Sequence, residues 1–148
     1  MKVKLYKPVI GIIILLFTFS CKIEPQAIEY GKDQCNFCVM NIVDNTYAAQ
    51  YVTSKGKQFK FDAVECLVND LIKKDKEGIA IILVANYSNP GEMIDAKSAF
   101  YLISPAIKSP MGENLSAFNS QITAEEYLKM NVGEIYTWES LNQYFINK

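Results

Sequence analysis

The chain of 148 residues contains no histidine and no arginine. Without imidazole there is no Ser-His or Cys-His nucleophile pair, no imidazole metal ligand, and no side chain whose ordinary titration falls at neutral pH. Without arginine the forked donor that grips phosphates and carboxylates is also missing. The one lysine run, Lys73-Lys74-Asp75-Lys76, carries mixed charge, so the basic stripe of a nucleic-acid binder is absent and no nucleic-acid partner is expected. Beyond the N-terminus no apolar stretch is long and uniform enough to span a bilayer. Cysteine is scarce, with four in the chain, and its placement carries most of the information.

Lys2, Lys4 and Lys7 precede a short apolar run from Val9 to Phe17, and Thr18-Phe19-Ser20 lead into Cys21. That order is a secretory signal, and the run is too short for an ordinary spanning helix. A cysteine directly after the cleavage point resembles the bacterial lipoprotein signal, which makes Cys21 the expected lipidation site and the first residue of an extracytoplasmic protein anchored by lipid. Removing residues 1–20 takes away three of fifteen lysines and leaves sixteen carboxylates, a net charge of 12 − 16 = −4. Cys35, Cys38 and Cys66 remain. Three is odd, so a closed disulfide framework cannot use them all, and metal ligation is one reason to keep the third thiol.

Residues 21–34 read as a polar tether. Tyr47 to Thr53, a turn at Lys55-Gly56-Lys57 and Gln58 to Phe61 read as a hairpin. Asp62 and Glu65 have the spacing of a capping box, opening a helix on which Val64, Leu67, Val68, Leu71 and Ile72 share a stripe. Cys66 falls on the opposite side, with Asp70 and Lys73, so periodicity does not bury it. Ile79 to Ala85 reads as a strand buried on both faces. The order then repeats: strands at 99–103 and 115–118, a helix from Thr123 with Glu126 as a second capping box and Ile122 and Tyr127 as a staple, a strand at 134–138, and a terminal helix from Glu139. The expected fold is α+β, with two similar ββαβ halves spanning 35–91 and 92–148.

In DQCNFCVM, residues 33–40, Cys35, Cys38 and Met40 fall within six positions. A C-x-x-C turn gathers two sulfurs, and Met40 shares a face with Cys38 if the chain runs extended. Thiolate and thioether together favour Cu(I), whereas zinc rarely accepts a thioether. Other readings stay open: Met40 and Ile42 as one inward strand face, Cys35 and Cys38 as a redox dithiol, or a structural zinc site completed by Cys66 and a carboxylate. Cys66 and Asp62 are further candidates for a metal or a partner. Met111, between Pro110 and Gly112, belongs to no periodic element and presents a thioether from the second half.

These residues resemble the NosL family of lipoprotein copper chaperones. The resemblance lies in Cys21; in Cys38-Val39-Met40 leading to Asp44 and Tyr47-Ala48-Ala49-Gln50; in Phe61-Asp62 before the helix of Cys66; in Met93 to Ala96 before Ala99-Phe100-Tyr101; and in Pro110-Met111-Gly112 before Ala117-Phe118. It implies a fold related to organomercurial lyase and a non-enzymatic, periplasm-facing carrier of Cu(I). It implies Cys38, Met40 and Met111 as copper ligands, with Cys35 as an added thiol. It also implies nitrous oxide reductase and its ABC-type maturation apparatus as partners.

Overall fold

The computed structural model describes residues 23–74 and 78–148. The signal segment, Cys21 and Lys76 lie outside the described residues. β1 (Ala49–Thr53) and β2 (Gln58–Phe61) form an antiparallel hairpin, in which Tyr51 pairs with Phe59 and their rings stack at 4.6 Å. α1 (Val64–Lys73) packs on both strands, β3 (Ile79–Ala85) pairs with the free edge of β1, and β4 (Met93–Asp95) adds to β3. The first sheet, ordered β2-β1-β3-β4, thus runs past Gly91 to Asp95.

The second sheet consists of β5 (Phe100–Ile103), β6 (Leu115–Phe118) and β7 (Glu134–Tyr136), ordered β6-β5-β7. α2 (Gln121–Met130) joins β6 to β7, and α3 (Trp138–Ile146) ends the chain. Strand order and helix position match β2-β1-β3 with α1, so the repeated ββαβ pattern of the sequence is a repeated topology. The mixture of helices and two antiparallel sheets is the expected α+β class.

One core joins the halves. The Tyr87 N–H donates to the Ala117 carbonyl at 2.8 Å, and its ring meets Tyr47, Phe118 and Tyr127 at 5.5 to 5.6 Å. Phe61, Leu67, Tyr101 and Phe118 are fully buried, at roughly 1.5–3 kcal/mol each for side chains of this size. Gly133 shows how tightly the second half closes: a Cβ there would overlap the Ile103 carbonyl oxygen.

α1 departs from its apparent amphipathicity. It faces its own sheet on one side and β6 and α3 on others, so Cys66 and Asp70 are buried along with the apolar stripe. Asp70 tolerates this because it accepts from the Tyr51 hydroxyl at 2.9 Å and pairs with Lys74 at 3.0 Å. The expectation that Cys66 lies off the core is therefore corrected, because a stripe predicts burial against one neighbour and α1 has several. β3 is corrected the other way: Ile82 and Val84 on one face are buried, while Ile79, Ile81 and Leu83 on the other are only partly covered, so only one of its faces is sealed.

Both capping boxes expected from spacing are absent. The N-cap of α1 is Ala63, with no side-chain cap, and the buried Asp62 and Glu65 turn to tertiary partners instead. α2 begins earlier than expected, capped by Ser120, whose hydroxyl accepts the Thr123 N–H at 3.2 Å. Ile122 is 71% exposed and staples nothing. Trp138, placed by sequence at a strand end, opens α3 under a reciprocal Thr137–Ser140 cap. The described part of the tether docks along the outer edge of β2: the Gln26 N–H donates to Gln58 at 3.2 Å, Lys60 Nζ donates to the Ala27 carbonyl at 2.7 Å, and Ile28 packs on the core.

Candidate functional site: a three-thiol centre

The stretch from Gln34 to Asn41 folds back on itself as a closed loop. The Cys35 N–H donates to the Met40 carbonyl at 2.8 Å, the Val39 N–H donates to the Cys35 carbonyl at 3.0 Å, and Gln34 and Asn41 form an isolated bridge. Closing the loop puts Val39 at φ +65°, a left-handed conformation that a β-branched residue adopts only under strain. Asn36 stitches the loop to β2, donating its N–H to the Lys60 carbonyl at 2.8 Å and accepting the Lys60 N–H on its side chain at 2.7 Å. Lys60 reinforces the seam with an ion pair to Asp33 at 2.6 Å.

This seam determines what meets what. β2 runs on through Phe61 and Asp62 into α1, whose first turn carries Cys66, so a loop held on β2 is delivered to the start of the helix. The sulfurs of Cys35, Cys38 and Cys66 all lie within 4.8 Å of one another, and none is in a disulfide. Cys35 and Cys66 are buried, while Cys38 is partly exposed.

The three thiols are not equivalent. The Cys66 thiol donates to the Cys35 sulfur, and the backbone N–H groups of Cys38, Asp62 and Phe37 add to it, so Cys35 is lowered to about 5 despite its burial. The Cys38 N–H to Cys35 Sγ contact measures 3.5 Å. Cys66 is pushed strongly upward, first by serving as that donor and then by burial, and so holds its proton. Burial raises Cys38, with the Met40 N–H on its sulfur opposing. One thiolate is thus ready while two protons remain to be displaced.

Asp62 is 2% exposed beside this cluster, and its Oδ1 has no hydrogen-bond partner. Burial raises its carboxyl, the Val43 N–H opposes, and the nearby Cys35 and Asp44 charges raise it further. It lies outside the trio of mutually close donors.

The two methionines stand differently. Met40 touches the site through its backbone, while its side chain is 52% exposed beside a fully buried Ile42, so the two do not share an inward strand face. Met111 sits 39% exposed in a β-turn closed by the Gly112 N–H on the Ser109 carbonyl at 3.1 Å. Sequence reasoning had no signal for the burial of Cys66 among its partners beyond the odd cysteine count, and none for a second buried carboxylate, Glu65.

With metal–sulfur bonds of about 2.3 Å, two sulfurs on one ion stand at most about 4.6 Å apart, so a small contraction brings the trio onto a single soft ion. Three soft donors with one edge open are fewer than the four of a closed structural zinc site. Fold and site together define a class, a small two-sheet α+β protein with a histidine-free thiol centre at the junction of a strand and a helix. The NosL family model matches residues 25–146, and the chain belongs to the NosL family. The copper-binding lipoprotein NosL of Stutzerimonas stutzeri is 24% identical over 129 residues, which cover 82% of this chain and 67% of that protein. The crystal structure of the copper chaperone NosL from Shewanella denitrificans superposes with a TM-score of 0.70 at 20% identity, covering 80% of this chain and 95% of that one.

Proposed function

We propose that this protein is an extracytoplasmic Cu(I) carrier, anchored by lipid at Cys21, that holds one ion at the thiol centre and passes it on by ligand exchange. The observation that carries this reading is the meeting of three free sulfurs within 4.8 Å, with only Cys38 of the three reachable from solvent. Soft sulfurs without imidazole suit Cu(I). Burial of Cys35 and Cys66 shields the ion from water, and the Cys38 side leaves an approach by which a client sulfur displaces one ligand at a time. Through the family resemblance, Met40 and Met111 are assigned as additional thioether donors. Membership of NosL, together with the names of the two relatives, supports copper as cargo. The client we assign through the family resemblance is nitrous oxide reductase, reached through its ABC-type maturation apparatus on the periplasmic side.

The test is a competition titration of the reduced apoprotein with a Cu(I) chelator. One tightly bound Cu(I) per monomer is expected, with Cys38→Ser weakened by at least about tenfold, or about 1.4 kcal/mol. Stoichiometric zinc retained in the presence of Cu(I) would overturn the reading in favour of structural zinc. For the client, a strain lacking this protein should accumulate nitrous oxide reductase deficient in copper, and a fully metallated reductase there would remove that assignment.

A further inference from the structure

Glu65, the neighbour of Cys66 on α1, is 1% exposed and takes no part in the thiol trio. A carboxyl group so deeply buried is costly unless it is hydrogen-bonded to something that matters. Its Oε1 accepts a hydrogen bond from the hydroxyl of Ser109, forty-four positions away on the loop between β5 and β6. The same hydroxyl accepts the Asn114 N–H at 2.9 Å, so its one donor and an acceptor position are both spoken for. Between these two attachment points hangs the turn Ser109-Pro110-Met111-Gly112. Gly112, at φ +84°, reverses the chain there, where a side chain would strain it. The far side of the loop is tied by Lys148, which pairs with Glu113.

We propose that Glu65 and Ser109 form a clasp that fixes the Met111 turn relative to Cys66, and are positioning residues for Cu(I) capture. The inference rests on the reading of Met111 as a thioether donor and adds how a flexible side chain on a loop tip is held where it is needed. Cys66 and Glu65 are consecutive on one rigid helix, so a loop anchored on Glu65 keeps a fixed relation to the thiol centre. Without the Ser109 hydroxyl the turn retains its own hydrogen bond and the Glu113 N–H still faces Glu65, but the end of the turn that leads into Met111 loses its tie to the helix, and Met111 has to be brought into place each time an ion arrives.

The experiment is a double-mutant cycle on Cu(I) affinity with Met111→Ala and Ser109→Ala, alongside thermal unfolding of the apo forms. Ser109→Ala is expected to weaken Cu(I) about tenfold, the low end for partners that orient metal ligands, and Met111→Ala by a similar factor. The double variant should be no weaker than either single one, since both remove the same contribution. A purely structural clasp would lower the unfolding temperature and leave Cu(I) affinity at its wild-type value, which overturns the proposal while sparing the Met111 assignment. Additive losses would place the effect of Ser109 elsewhere and overturn it too. Wild-type affinity in Met111→Ala would remove the thioether reading and the clasp's role with it. Should Ser109→Ala fail to fold, Glu65→Leu fills the same buried space without an acceptor and gives the same comparison.

Discussion

Cys66→Ala tests the electrostatic design of the thiol centre directly. In the native protein the Cys66 thiol is the foremost cause of the acidity of Cys35, which stands at about 5 instead of 9.0. A hydrogen bond to a charged acceptor is worth roughly 1.5–3 kcal/mol, and a pKa unit about 1.4 kcal/mol, so losing that donor should raise Cys35 by about one to two units. The midpoint should rise and yet stay below that of an ordinary thiol, because the N–H groups of Phe37, Cys38 and Asp62 remain. Cys66→Ser keeps a donor and should stay close to the wild type. The assay is the ultraviolet absorbance of thiolate, followed against pH in the reduced apoprotein, with Cys35→Ser identifying the transition. The same shift shows in stability. The folded state binds fewer protons at Cys35 than the unfolded chain does, so this group stabilises fully above pH 9.0 and the contribution is lost as pH falls toward about 5. Cys35→Ser should flatten that part of the stability profile. An unchanged thiolate midpoint in Cys66→Ala would refute the claim that the third cysteine acidifies the first.

Three further outcomes bear on the framework around the site. Lys60→Met removes the ion pair to Asp33 and the bond to the Ala27 carbonyl, costing about 1–2 kcal/mol after allowance for partial exposure, and should speed proteolytic cleavage within residues 23–34. Resistance equal to wild type would show that this segment is held by something else. Gly133→Ala drives a methyl group against the Ile103 carbonyl and should cost about 2–3 kcal/mol in denaturant unfolding, where a neutral result would contradict the close packing of β5 on that turn. Tyr101→Phe removes a buried hydroxyl donated to the Ala96 carbonyl at 2.6 Å and should cost about 1–2 kcal/mol, leaving Cu(I) affinity unaltered.

Much of the fold was legible because its signals are local. The aromatic and β-branched run ending at Thr53 and the stripe from Val64 to Leu71 each announce an element without reference to the rest of the chain. Cys66 was misplaced because a helical stripe reports one buried face, whereas α1 is enclosed by its sheet, β6 and α3. Asp62 and Glu65 have capping-box spacing, yet tertiary neighbours claim both carboxylates, one beside the thiols and one on Ser109. The C-x-x-C pair was visible from spacing. Its attachment to β2 through Asn36 was not, since that pairing depends on a backbone edge left free by the hairpin.

The seam that carries the Cys35–Met40 loop onto β2 has a consequence for the order of events in the life of the protein. Cys35 and Cys66 approach only once the hairpin, the helix and the stitched loop are all in place, so an unfolded chain offers no assembled centre and at most scattered single thiols. A polypeptide threaded unfolded across a membrane would therefore arrive empty. Cargo would be acquired after arrival, and whatever supplies it would have to meet the finished protein on the outer side.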